Sequence, residues 1–478
     1  MIAKYIFSVG LLCSSFNLYG QQHIEILEKI KYEVEQQSEA YRQLEYATTT
    51  IGHRATGTGN GDKAEQFAAQ LLESYGYEVE MQPFYFNGWN RGSLTFTING
   101  EEVPAVALAH SPAKAIASHQ LVDLGNGLEE DYLKLKEKLA GKIVLATIGL
   151  VDGTPENIKN LHRSEKTALA EKYGASGIIL FNKTKGNILL TGTASVTGDI
   201  IKIPSINISY EEGMKIKKAL RAGAVKAEII MENEVGPMKG SNIIVRQKGI
   251  TKPDEIIVVG GHLDSWDLAT GAIDNGVGSF SVIDVARTFK QSELKTDRTI
   301  EFVLFMGEEV GLLGSKHYVK EAIKSGKINQ IKAMSNMDMT YDPKAFSSTM
   351  LSENKFLQEL AQDVLTYDQK FEEHPVIGLG LHSDHQPFML QGIPIVGLSK
   401  SQFKPGALDC YHANCDEMKF VDPQGLKHNV TLETYLLYRL ANAQEFPYPR
   451  WTEDQIKQAL IQANLETPLK ISGEWRWK

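Results

Sequence analysis

In the second half of the chain the apolar residues fall into short unbroken runs, and each run breaks off at glycine, histidine or an acid. "IIVVGGHLDSW" (256–266) reads as a buried strand entering a loop, and "GSFSVIDVARTFKQS" (278–292) as the helix after it. "RTIEFVLFMGEEVG" (298–311) and "GSKHYVKEAI" (314–323) repeat that pair. "IKAMSNMDMTY" (331–341) and "GIPIVGLSK" (392–400) add two further strands. Strands alternating with helices predict an α/β fold with a parallel or mixed sheet covered on both faces. In such sheets ligands bind beyond the carboxyl ends of the strands.

Earlier segments have a different character. "HIEILEKIKYEVEQQSEAYRQLEYAT" places Ile24, Leu27, Ile30 and Val34 at helical spacing. "IGHRATGTGNGDKAEQFAAQLLESYGYEVEMQPF" predicts a Gly-rich turn, a helix through Phe67 and Leu71, a stop at Gly76, then a strand. From about Gln120, "LAGKIVLATIG" reads as a buried strand, "EKTALAEKYGASGIILFN" as helix, turn and strand, and "IPSINISYEEGMKIKKAL" as strand then helix. No cluster of acids or histidines stands out there.

Length sets the scale: 478 residues predict two domains rather than one. A net charge of -9 argues against nucleic acid as a partner, because phosphate binding wants a basic face. Residues 1–20 combine Lys4 with an apolar stretch too short to span a bilayer, and Gly20 stands before Gln21. This pattern predicts a signal peptide and an exported protein, periplasmic or secreted. Cys13 is preceded by bulky Leu12, which disfavours a lipid anchor. No later segment reaches membrane-spanning length without charges, so no membrane partner is expected.

The candidate chemistry lies where the runs break off. His262 and Asp264 stand two apart after Val259, and Asp274 follows in a Gly-bounded loop. Glu308 and Glu309 close the strand "EFVLFM", Asp338 closes "AMSNMDM", and His412 lies in "CYHANCDE". Taken singly, each of these is ordinarily a turn or surface residue. Together, at successive strand ends, they form a mixed imidazole and carboxylate set that suits zinc better than calcium or magnesium. His262, Asp274, Glu309, Asp338 and His412 exceed the needs of one tetrahedral ion, so two bridged ions are the economical reading. Asp264 is placed to orient His262 through its second ring nitrogen. Neighbouring side chains at a strand end diverge, which allows one of the two glutamates to bind metal while the other faces water.

The order "HLDSWD…GAIDNG", "GEEVGLLGS", "NMDM" and "CYHANCD" resembles the co-catalytic zinc exopeptidases of metallopeptidase family twenty-eight. That family includes bacterial leucyl aminopeptidases and plasma glutamate carboxypeptidase (carboxypeptidase Q). "GGHLDSWD" is most similar to the carboxypeptidase Q branch, while "GKIVLA" and "GASGIILFN" resemble a protease-associated domain. The segment "IGHRATGTGNGDKAEQFAAQLL" is similar to the family's N-terminal entry helix. The resemblance implies a zinc exopeptidase fold divided into residues 21–119, a protease-associated insertion over 120–240, a catalytic part over 241–446 and a tail over 447–478.

It also implies roles. Asp274 would bridge two zinc ions, with His262 and Asp338 on one and Glu309 and His412 on the other. Glu308 would be the general base, and Tyr411 would help stabilise the oxyanion. The Asp274–Asn275 peptide would be cis. Cys410 and Cys415, the cysteines left after signal removal, would form a disulfide around His412. "HSDHQPF" is similar to a substrate loop in secreted aminopeptidases, which makes His382, Ser383, Asp384 and His385 candidates for substrate binding. His382 replaces an arginine of that pattern, which leaves recognition of the substrate end open. The implied activity is hydrolysis of terminal bonds in peptides or dipeptides, as an aminopeptidase first. A dipeptidase or carboxypeptidase, a single-zinc glutaminyl cyclase and a homodimer are left open.

Overall fold

The computed structural model describes residues 21–350 and 354–477, so the expected signal segment lies outside the described residues. Among the described residues no helix is long and apolar enough to cross a membrane. The strands, in chain order, are β1 (Glu80–Ile98), β2 (Glu101–Glu102), β3 (Ala105–Ala107), β4 (Lys114–Gly125), β5 (Ile143–Thr147), β6 (Gly177–Phe181) and β7 (Ser205–Ile208). They continue as β8 (Lys226–Gln247), β9 (Lys252–His262), β10 (Arg298–Phe305), β11 (Ile331–Asn336), β12 (Ala345–Ser348), β13 (Val376–Ile377) and β14 (Val396–Ser399). Strands β12 to β14 make a small sheet of their own. The others join one mixed sheet in the order β11-β9-β10-β8-β4-β5-β6-β7-β3, with β1 beside β8 and β2 paired to β1.

This is the expected α/β architecture, and its burial follows the two-residue period of strands. Ile257, Val259, Ile300 and Phe302 point to a core shared with helices Val277–Gln291 and Pro423–Ala441. Their neighbours Ile256, Val258, Val303 and Phe305 point the other way, onto Tyr318 and Val319 of helix Leu313–Ser325. Both faces are therefore covered, which explains the unbroken apolar runs. In the insertion, Ile143, Leu145 and Ile179 pack against Ile216 on one face, while Val144, Ala146 and Ile178 face Tyr132 and Ala170 on the other.

One ribbon joins the two halves. β1 pairs antiparallel with β8 from Glu80 opposite Ile244 to Ile98 opposite Ala227, with an irregularity between Asn90 and Ser93. The start of β8 also pairs with β4, and its end pairs with β10. The same two strands thus enter the sheets of both the catalytic part and the insertion. β9, β10 and β11 run parallel, so their carboxyl ends open on one side, and there the insertion stands over them.

Candidate metal centre

His262 is the last residue of β9 and is 1 % exposed. Its Nε2 lies 3.3 Å from Asp274 Oδ1 and 3.5 Å from Asp338 Oδ1. His412 Nε2 lies 3.0 Å from Asp274 Oδ2 and 3.1 Å from Glu309 Oε2. Asp274 therefore stands between two imidazoles with one oxygen toward each. All five residues read as ligands from sequence meet here. Ligand atoms of His262, Asp274 and Glu309 fall within 4.8 Å of one another, as do those of His262, Glu308 and Asp338.

Loops after the parallel strands make this convergence possible. Residues Ala272–Gly276 carry Asp274 with φ -113 and ψ 96, outside helical geometry, and the Asp274–Asn275 peptide is cis. Asn275 Nδ2 donates to the Met337 carbonyl at 2.8 Å, and its Oδ1 accepts from Met339 N at 3.0 Å. That clamp joins the loop after β9 to the loop after β11. Gly278 permits the approach, because a Cβ there would meet the Met337 oxygen at 2.0 Å. The Asp416 carboxylate accepts from Ile273 N at 2.7 Å and Asp274 N at 3.0 Å. Arg54, fully buried, donates to the carbonyls of Leu263, Thr270 and Gly271 at 2.7 to 2.8 Å. Neither Arg54 nor Asp416 stood out in the sequence. Their roles depend on backbone atoms far away along the chain.

The glutamate pair departs from the strand-end expectation. β10 ends at Phe305, and Glu308 and Glu309 sit in the turn beyond it. Their backbone N–H groups donate to the two Asp264 carboxylate oxygens at 3.2 and 3.4 Å. Asp264 thus holds the turn. Toward His262 Nδ1 its carbonyl is nearer, at 3.1 Å, than its carboxylate, at 3.6 Å.

The electrostatics reflect carboxylates gathered out of water. Burial pushes the Glu308 carboxyl well above its ordinary range; the imidazole of His262 opposes this and the charges of Glu309 and Asp338 add to it. Burial likewise pushes Glu309 up to about 7. Asp274 would rise by burial too, but the imidazoles of His262 and His412 close to its two oxygens hold it well below the usual range. Burial depresses His262, yet the Glu308 charge and its hydrogen-bonded carboxylates raise it well above an ordinary histidine.

These residues fit a divalent cation. Glu309 Oε1 is buried with no hydrogen-bond partner, and Asp274 Oδ2, although close to His412 Nε2, lacks a well-aligned hydrogen bond. Unsatisfied carboxylate oxygens facing imidazole nitrogens are what a metal ion satisfies. Two imidazoles with three or four carboxylates make a donor set suited to zinc.

Around the cluster, Tyr411 stacks on His412 with ring centroids 3.9 Å apart. The Cys410–Cys415 disulfide closes the loop carrying His412. Of the four residues in the candidate substrate loop, His382 lines the cavity beside the cluster. Ser383 instead donates to Asp338 Oδ2 at 2.6 Å, Asp384 is fully buried, and His385 contacts the Gly380 carbonyl.

The cavity measures ≈ 150 Å³, and the insertion supplies one wall. Two residues of that wall escaped the sequence reading. His162 stacks on His382 at 5.3 Å, and Arg163 Nη2 lies 2.8 Å from His412 Nδ1. In "LHRSEKTALA" they are the cap and first residue of helix Arg163–Lys172, and nothing local sets them apart.

Two family profiles match the chain. Peptidase family M28 covers residues 242–437, and the PA domain covers residues 101–216. A probable leucine aminopeptidase 2 of Aspergillus fumigatus is 26% identical over 449 residues, 87% of this chain and 85% of that protein. Carboxypeptidase Q of Bos taurus is 24% identical over 420 residues, 86% of each chain. Among solved structures, an aminopeptidase from Aneurinibacillus sp. strain AM-1 superposes with a TM-score of 0.67 at 26% identity, over 88% of this chain and 98% of that one.

Proposed function

This chain is a peptidase of family M28 with a PA domain, and from that premise we propose that it is an exported, zinc-dependent aminopeptidase. The observation that carries the reading is Asp274 placed between His262 and His412, one oxygen toward each. His262 and Asp338 would hold one ion, Glu309 and His412 a second, and Asp274 would bridge them. When bound, zinc acts as a Lewis acid and lowers the pKa of water near it.

The chain's own residues do the rest. Glu308 takes the proton of the attacking water and later delivers it to the departing amine, so that water adds across the C–N bond. Asp264 fixes the turn from which Glu308 reaches the bond. Tyr411, beside His412, donates its hydroxyl to the oxyanion of the attacked carbonyl. The likeness to a leucine aminopeptidase along most of both chains supports a free amino end as the recognised feature.

A second reading, carboxypeptidase or dipeptidase, has the likeness to carboxypeptidase Q in its favour. One panel separates them: a peptide with both ends free, its N-acetylated form and its C-terminal amide, followed by mass spectrometry. The acetylated peptide should resist cleavage while the amide is cut from its amino end. Release of the last residue from the acetylated peptide would overturn the aminopeptidase reading.

A further inference from the structure

We propose that the C-terminal tail is part of the substrate-binding apparatus, and that Glu474 positions His382 for peptides longer than a dipeptide. This deepens the peptidase reading and rests on it. The peptidase profile ends at residue 437 and the PA profile at 216, so neither match reaches the tail. Even so, Pro468, Ser472 and Glu474 line the cavity beside the metal cluster.

The tail arrives there by a chain reversal. Helix Glu466–Ile471 is followed by Gly473, whose φ of +75 turns the chain back, and Glu474 N then donates to the Leu469 carbonyl at 2.8 Å. Trp475 and Trp477 pack on the apolar cluster of Met389, Leu390 and Leu469. Leu379 and Leu381, which lead into His382, pack on the same cluster. Tail and substrate loop therefore share one core.

Two hydrogen bonds connect them further. Gln386 Nε2 donates to Glu474 Oε2 at 2.8 Å, and Gln386 Oε1 accepts from His382 N at 2.8 Å. An amide carries its donor and its acceptor on opposite sides, so a carboxylate on one side fixes the oxygen on the other. Turned over, Gln386 would set N–H against N–H at His382 and leave both unpaired. Gln386 is 3 % exposed, which keeps water from replacing a lost partner. His382 needs the hold, because its φ of +69 is uncommon for any residue but glycine. Glu474 is itself oriented by Ser472 Oγ at 3.2 Å and by Lys316 Nζ at 3.4 Å.

Position selects the substrate. Ser383, next to His382, donates to Asp338 Oδ2, so His382 stands just beyond the cluster. Each residue of an extended peptide adds about 3.3–3.6 Å. Leucinamide is held at the cluster alone, whereas a tetrapeptide runs on past His382 toward the tail.

The test uses the full metal-loaded chain with leucinamide and Leu-Ala-Ala-Ala. Glu474→Ala should raise KM for the tetrapeptide about 5-fold or more, the scale of one hydrogen bond. Its kcat on both substrates, its zinc content and its KM for leucinamide should stay within about 2-fold of wild type. Glu474→Gln keeps an oxygen for Gln386 and should restore most of the tetrapeptide KM. Gln386→Met cuts the connection at its centre and should give the same split, and adding Glu474→Ala to it should raise KM no further. A tetrapeptide KM unmoved by Glu474→Ala, an equal rise for both substrates, or effects that simply add in the double variant would overturn the proposal. If Glu474→Ala does not fold, the split in Gln386→Met decides. A wild type that leaves leucinamide intact while releasing the last residue of the tetrapeptide would instead overturn the aminopeptidase reading, and the tetrapeptide KM would still test Glu474.

Discussion

Glu308 and Glu309 are neighbours on one turn, the first half-buried and the second buried, and Glu309 lies 3.1 Å from the His412 imidazole. Their substitutions should therefore differ in kind. Glu308→Gln keeps the shape and removes the base, so kcat should fall by at least about 10²-fold with zinc retained. Glu309→Gln replaces an anionic ligand by a neutral amide, so zinc retention should weaken. Metal content and kcat measured on both variants check this; zinc lost from the first and kept by the second would reverse the roles. At this scale the meeting of His262, Asp274, Glu308, Glu309, Asp338 and His412 was legible in the sequence, because most of them follow parallel strands at the end where such sheets bind ligands. Arg54, Asp416 and Arg163 were not legible. Each acts on atoms more than a hundred residues away, and sequence spacing carries no trace of that.

Within helix Pro423–Ala441, Glu433 is fully buried and both its oxygens lack hydrogen-bond partners. Burial pushes its carboxyl up to about 7, from an ordinary 4.5. Between these values the folded chain binds more protons than the unfolded one, so this residue lowers stability as pH rises from about 4.5 to about 7. Glu433→Gln should thus stabilise the protein by on the order of 1–3 kcal/mol at pH 8, and by little at pH 4.5. Denaturant unfolding at both values tests it, and an equal effect at the two would refute the assignment. Elements with two buried faces, such as β9 and β10, were legible from their apolar runs. The full extent of β1 and β8 was not. Both hold many half-exposed polar residues, and β8 contains Gly236 and Pro237, which ordinarily mark a turn.

Across the whole molecule, the proposed ligands come from the last residue of β9, from the loops after β9, β10 and β11 and from the loop between Cys410 and Cys415. Ions bound there would cross-link segments 150 residues apart in sequence. Metal analysis of dialysed protein should give about two zinc ions per chain, more than one tetrahedral site can take. A chelator should lower the unfolding temperature, since a ligand at about 100 times its Kd stabilises by about 2.7 kcal/mol. One ion with full activity would remove the two-ion mechanism. A transition unmoved by chelation would show that the loops hold without metal.

The ribbon of β1 and β8 has a further consequence. Because the same two strands run into both sheets, swinging the insertion away from the cluster would break their backbone ladder. An entrance framed by that ribbon would sort what arrives by girth before any chemistry begins. A loose chain end can enter such an opening, whereas a folded domain or a taut surface loop cannot. An enzyme built this way can share a compartment with intact proteins, its own copies among them, and leave them uncut.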